Sequence, residues 1–116
     1  SQAVAAGGFL FASGQIPLDP LTGELVGGGV EASTERIFDN LEAVLRKSGL
    51  TFADVVKTTV YLTRPEDFPA MNPVYARRFG EHRPARSTVT VASLPKGALL
   101  EIDLVARLRA PEDGRR

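Results

Sequence analysis

Cysteine is missing from this chain altogether. Its absence excludes disulfides, thiolate nucleophiles and cysteine-based metal sites. Histidine occurs once, at His82, which alone cannot assemble a histidine metal cluster. Net charge is missing too, with 14 Lys and Arg against 14 Asp and Glu. Dedicated nucleic-acid binders carry a basic excess, so this balance speaks against nucleic acid as the main partner. It also leaves self-association unopposed by charge repulsion. No apolar run approaches the length of a membrane span, and no charged-then-apolar leader opens the sequence, so a cytoplasmic location is the expectation.

What is present describes an ordinary soluble domain. The chain has 116 residues, 43% hydrophobic and 24% charged. That length supports one domain, which buries roughly two thirds of the surface its unfolded chain would expose. Residues 1–109 carry the patterned segments. The tail "APEDGRR", residues 110–116, is polar and aperiodic, and reads as flexible.

The patterns predict the order β-β-α-β-α-β-β. "SQAV" and "FLFASGQI" read as a hairpin around "AAGG", followed by a connector punctuated by Pro17, Pro20 and Gly23. Val30, Ile37, Leu41, Val44 and Leu45 recur on one face of a first helix that Gly49 stops. The β-branched run from Asp54 to Thr63 predicts a strand. Met71, Val74, Tyr75 and Phe79 stripe a second helix, with a start near Pro69 so that Pro73 falls close to its first turn. Strands at Arg86–Leu94 and Leu99–Leu108 close the chain. Helices interspersed with strands imply an α+β fold, a mixed sheet with both helices on one face and the other face bare.

Period-2 alternation then sorts side chains by face. The strongly apolar positions Leu100, Ile102, Leu104 and Ala106 belong under the helices, and Glu101 and Asp103 opposite. The same rule puts Val89 and Val91 under the helices and Arg86, Thr88 and Thr90 on the bare face. Phe9, Phe11 and Ser13, and Val55, Lys57, Thr59 and Tyr61, complete that face. A mixed surface of this kind suits a subunit interface with a cleft in it, so the chain is expected to form a homo-oligomer.

Arg86 is the leading candidate for chemistry. Its planar fork matches a carboxylate with two parallel hydrogen bonds; the alternative is an ion pair with Glu101 or Asp103. Glu101 suits a water-activating base or that same ion pair. Ser13, followed by the flexible Gly14, is a ligand donor or a turn residue. Asn72 is a helix cap or a ligand contact. "GGG" at residues 27–29 lacks the Lys-Ser/Thr of a phosphate loop, and His82 reads as a solvated loop residue. Covalent serine catalysis is excluded, because no hydrolase elbow is present.

Four segments, "SGQIPLDPLTGELV", "VVKTTVYLT", "DFPAMNPVYARRFG" and "PARSTVTVASLPKGALLEIDLVA", together resemble the YjgF/Rid family of reactive-intermediate deaminases, in order and without large gaps. The resemblance implies a chorismate-mutase-like fold and a homotrimer with active sites between subunits. It implies hydrolysis of 2-imino acids such as 2-iminobutanoate and 2-iminopropanoate to 2-oxo acids and ammonia, without metal or cofactor. Carried across, Arg86 grips the substrate carboxylate and Glu101 positions the attacking water. Ser13 and Asn72 line the pocket with the backbone of Gly14 and Thr88. Family members usually carry a tyrosine just before the segment matching "SQAV", a position that precedes Ser1 here, and Thr88 stands where cysteine is frequent. The other readings are a non-catalytic trimer that binds 2-oxo acids, and the ribonuclease or translation inhibitor activity attached to some relatives.

Overall fold

A computed structural model describes residues 1–109; the tail at 110–116 lies outside the described residues. The chain forms β1 (Ala3–Ala6), β2 (Phe9–Gln15), α1 (Gly29–Lys47), β3 (Val55–Leu62), α2 (Phe68–Phe79), β4 (Ala85–Thr90) and β5 (Leu100–Arg107). The strands make one sheet in the order β1-β2-β5-β3-β4. Only β3 and β4 run parallel, joined by the α2 crossover; the other pairs are antiparallel. The fold is α+β, as the element order predicts.

Local chemistry explains the element ends. Gly7 and Gly8 both take positive φ, which lets a two-residue turn match the twist of β1 and β2. Thr51 and Asp54 form a capping box on the short turn leading into β3. Before α2 the chain makes one tight turn at Pro65–Asp67, and the regular helix starts at Phe68. Pro73 therefore falls in the second turn rather than the first, and forfeits the hydrogen bond to the Pro69 carbonyl.

The core lies between the helices and one face of the sheet. Phe38 of α1 is fully buried, and its ring meets Tyr75 and Phe79 of α2 edge-on at 5.7 and 5.5 Å between centroids. Sheet side chains Leu10, Ala12, Val60, Leu62, Leu100, Ile102, Leu104 and Ala106 close the same cluster. One polar pair is sealed inside it: the Thr58 and Tyr75 hydroxyls share a hydrogen bond of 2.7 Å. Arg78 of α2 ties the helices together from outside by pairing with Glu35 and Asp39 at 2.8 and 2.9 Å.

Two of the expected faces need correction. A bulge between Val55 and Lys57 puts Val55 opposite Ala106, so Val55 is buried under the helices. On β4 the assignment is inverted. Arg86 pairs in register with Thr58 and Thr88 with Val60, both buried on the helix side, whereas Val89 pairs with Tyr61 and is 42% exposed on the bare face. The physical reason is position: β4 is an edge strand, and hydrophobicity marks the covered face only where a helix covers it. The strand also ends at Thr90, short of Leu94.

Candidate functional site

Arg86 stands at the start of β4, aimed at α2. Its guanidinium lies 4.5 Å from the centre of the Tyr75 ring and 5.4 Å from that of Phe68. One nitrogen donates to Asn72 Oδ1 at 2.8 Å. Phe68, Asn72 and Tyr75 follow one another at i, i+4 and i+7, so a single face of α2 builds this cradle. Among the described residues, no carboxylate lies within ion-pairing distance of Arg86. The ion-pair alternative with Glu101 or Asp103 is removed, because those side chains stand on the other face. The guanidinium opens instead into a cleft of about 400 Å³, lined by Asn72, Tyr75, Ala76, Arg83, Pro84 and Arg86.

Asn72 is not a helix cap. It is the fifth residue of α2, and its side chain orients the arginine. The Val91 N–H donates to the Leu62 carbonyl at 2.8 Å. By alternation Val89 and Ser87 also turn their main-chain groups toward β3, while Arg86, Thr88 and Thr90 present theirs along the free edge of the sheet. Thr88 thus offers a backbone N–H that has no partner among the described residues, two residues from Arg86 and on the same side.

Glu101, Ser13 and Gly14 form a second group, on the bare face. Glu101 lies across β5 and β3 from Tyr61 and folds over Gly14. A Cβ on Gly14 would sit 2.7 Å from the Glu101 carboxyl carbon, so only glycine permits this approach. Burial raises the Glu101 pKa above the ordinary glutamate value, and the like charge of Asp103 adds to the rise. Asp103 accepts a 2.9 Å hydrogen bond from the Tyr61 hydroxyl, which in turn raises the tyrosine pKa. The Ser13 hydroxyl donates to the Ser1 carbonyl at 2.8 Å, holding the start of the chain against β2 rather than making a turn.

The structure therefore brings Arg86, Asn72 and the Thr88 backbone together on one side of the sheet, and Glu101, Gly14 and Ser13 together on the other. It does not join the two groups within one chain. The sequence pattern did not single out Phe68, Tyr75 or Arg83 as site residues; their only advance signal was the helical spacing of the first two with Asn72. His82 also differs from expectation. Its Nε2 lies 2.6 Å from the Val55 carbonyl, and its half-buried ring fastens the loop before β4 to the start of β3.

A profile of the family described as Endoribonuclease L-PSP matches residues 1–108. The chain belongs to the YjgF/Rid family. Within it, a RutC family protein of Pyrococcus horikoshii is 50% identical over 91% of this chain and 84% of its own. The human 2-iminobutanoate/2-iminopropanoate deaminase is 42% identical over 91% of this chain and 77% of its own. The crystal structure of the Escherichia coli YjgF gene product superposes with a TM-score of 0.87 at 41% identity, covering 93% of this chain and 87% of that one. That superposition takes in the five-stranded sheet and two helices of this Rid chain. Among the described residues, no helix of the Rid chain is long and apolar enough to cross a membrane.

Proposed function

We propose that this protein hydrolyses 2-imino acids and their enamine tautomers, including 2-iminobutanoate and 2-iminopropanoate, to 2-oxo acids and ammonia. The observation that carries the reading is Arg86: a half-buried guanidinium, stacked on two rings and oriented by Asn72, with no carboxylate partner among the described residues. A half-buried arginine without a counter-ion among the described residues favours a ligand carboxylate, which its fork meets with two hydrogen bonds. The Thr88 N–H on the free edge suits a third.

With the carboxylate fixed, C2 of the iminium is held toward the attacking water. Glu101 removes one proton as the water oxygen bonds to C2, giving a carbinolamine. A proton delivered to its nitrogen lets ammonia leave, while the hydroxyl gives up its own proton to a base, Glu101 or water, and the C–O bond becomes the 2-oxo group. Imine plus water thus yields 2-oxo acid plus ammonia, with no redox change and no cofactor. The raised proton affinity of Glu101 makes it a stronger base toward the water, and lets its protonated form persist nearer to neutral pH than that of an ordinary glutamate.

Because Arg86 and Glu101 occupy opposite faces of one sheet, the reading requires a homo-oligomer, a homotrimer by family likeness, in which the Arg86 edge of one copy meets the Gly14–Glu101 surface of another. The exposed Val4, Phe9 and Phe11, on the same face of the sheet as Glu101, support such an interface. The same separation is what favours the second reading, a 2-oxo acid-binding regulator, because a lone chain holds a carboxylate with no base beside it. Nucleic acid remains the weaker alternative. The zero net charge and the pairing of Arg36, Arg46, Arg64, Arg77, Arg78 and Arg109 with acids leave no basic stripe along the described surface.

The test couples threonine dehydratase to this protein, traps free imine with semicarbazide and follows 2-oxobutanoate. Wild type is expected to accelerate hydrolysis, and Arg86→Ala and Arg86→Lys to lose roughly 10²- to 10³-fold in kcat/KM. Equal rates in all three proteins would sink the enzyme reading.

A further inference from the structure

The Arg86 cleft carries a second guanidinium. Arg83, three residues earlier in the loop after α2, lines the same cavity. Its Nη1 donates to the carbonyl oxygens of Gly80 and His82. The Gly80 carbonyl follows directly on the last residue of α2, where the helix presents the negative end of its dipole. The exposed guanidinium thus meets the chain through one nitrogen, while Nε and Nη2 have no protein partner among the described residues. Among the described residues, no acidic one lines the cleft, whose polar wall otherwise consists of Asn72 and the Tyr75 ring.

Two positive charges bordering one concave space, with no counter-charge in it among the described residues, create a field that a monoanion satisfies only halfway. A ligand carrying one carboxylate for Arg86 and a second anionic group for Arg83 neutralises both. The cavity, about 400 Å³, falls in the size range that accommodates small organic ligands. We infer that Arg83 is a specificity-determining residue, and that the site prefers four- or five-carbon 2-imino dicarboxylates, and the matching 2-oxo dicarboxylates, over the short monocarboxylic acids. The inference rests on the carboxylate-binding reading of Arg86 but not on catalysis.

Binding of the 2-oxo products tests it apart from turnover. Calorimetric titration of the full chain with 2-oxoglutarate and with 2-oxobutanoate gives the ratio of their affinities. Wild type is expected to bind the dicarboxylate roughly fivefold more tightly, the size of one partly exposed charge pair. Arg83→Gln brings the two acids to parity. Arg77→Gln, which removes the same charge from a surface pair with Glu35 outside the cleft, keeps the preference. Equal affinity for both acids in wild type, or a preference that survives Arg83→Gln, overturns the role of Arg83 and leaves the carboxylate clamp standing. Loss of the preference in Arg77→Gln as well assigns it to overall charge and overturns the inference too. If neither acid binds wild type, or both bind Arg86→Ala undiminished, the clamp itself fails and the inference with it.

Discussion

The two faces of the sheet obey different rules. Under the helices, Leu100, Ile102 and Leu104 alternate without interruption within an apolar cluster, and the buried Thr58 hydroxyl is hydrogen-bonded to Tyr75. On the other face Phe11, Val105 and Lys57 stand in one cross-strand row, and Glu101, Tyr61 and Val89 in another. The first face is explained by burial alone. The second mixes aromatic, hydroxyl and charged groups, with Asp103 and Glu101 kept two residues apart despite their like charge. That arrangement costs stability in a single chain, and is accounted for by chemistry or by a partner surface rather than by folding. Arg86 belongs to neither pattern. It sits on the helix side, yet at the rim, where α2 supplies a cradle and solvent still reaches.

Substitutions that pit the faces against each other sharpen this contrast. The largest effect is expected from Phe38→Ala, which empties the point where three aromatic rings meet; chemical denaturation should show a loss of about 3–5 kcal/mol. Phe11→Ala removes the same ring from the bare face, where Phe11 is 47% exposed. Its effect should appear in the concentration dependence of thermal unfolding, with little change in the dilute chain. A concentration-independent loss as large as that of Phe38→Ala would erase the distinction between the faces.

Gly14→Ala comes next. The added methyl cannot coexist with the present Glu101 carboxylate, so catalysis is expected to fall about tenfold or more, while substrate carboxylate binding at Arg86 persists. A kcat loss with steady KM is the signature to look for.

The smallest effect concerns pH. The Glu101 pKa is raised in the folded chain, so the protonated form is favoured there; its contribution to stability is present below the ordinary glutamate pKa and is lost as pH rises through the raised one. The acid limb of the kcat/KM profile should accordingly lie above the ordinary glutamate range. Asp103→Asn removes the like charge that adds to the rise, and should move that limb to lower pH. An upward move would show that Asp103 does not act on Glu101 as a charge.

Much of this was legible in the chain. The element order, the apolar alternation of β5, the stripe of α1 and the segment "PARSTVTVASLPKGALLEIDLVA" needed no coordinates. Val55 and the β4 alternation were misassigned because a bulge and an edge position break period-2 logic without leaving a residue-level mark. Asn72 was ambiguous because a cap and a ligand contact ask for the same side chain, and only the start of α2 at Phe68 separated them.

By itself, then, the sequence determined the fold class, the covered face of β5 and the family, since each follows from local periodicity or from an ordered motif. Tertiary structure alone decided that Arg86 lies across the sheet from Glu101, that Tyr75 and Phe68 stack against it, and that Arg83 shares its cleft. Those relations depend on which strand is the edge and on how α2 lies over it. Both are set by contacts between residues distant in the chain, and no local pattern encodes them.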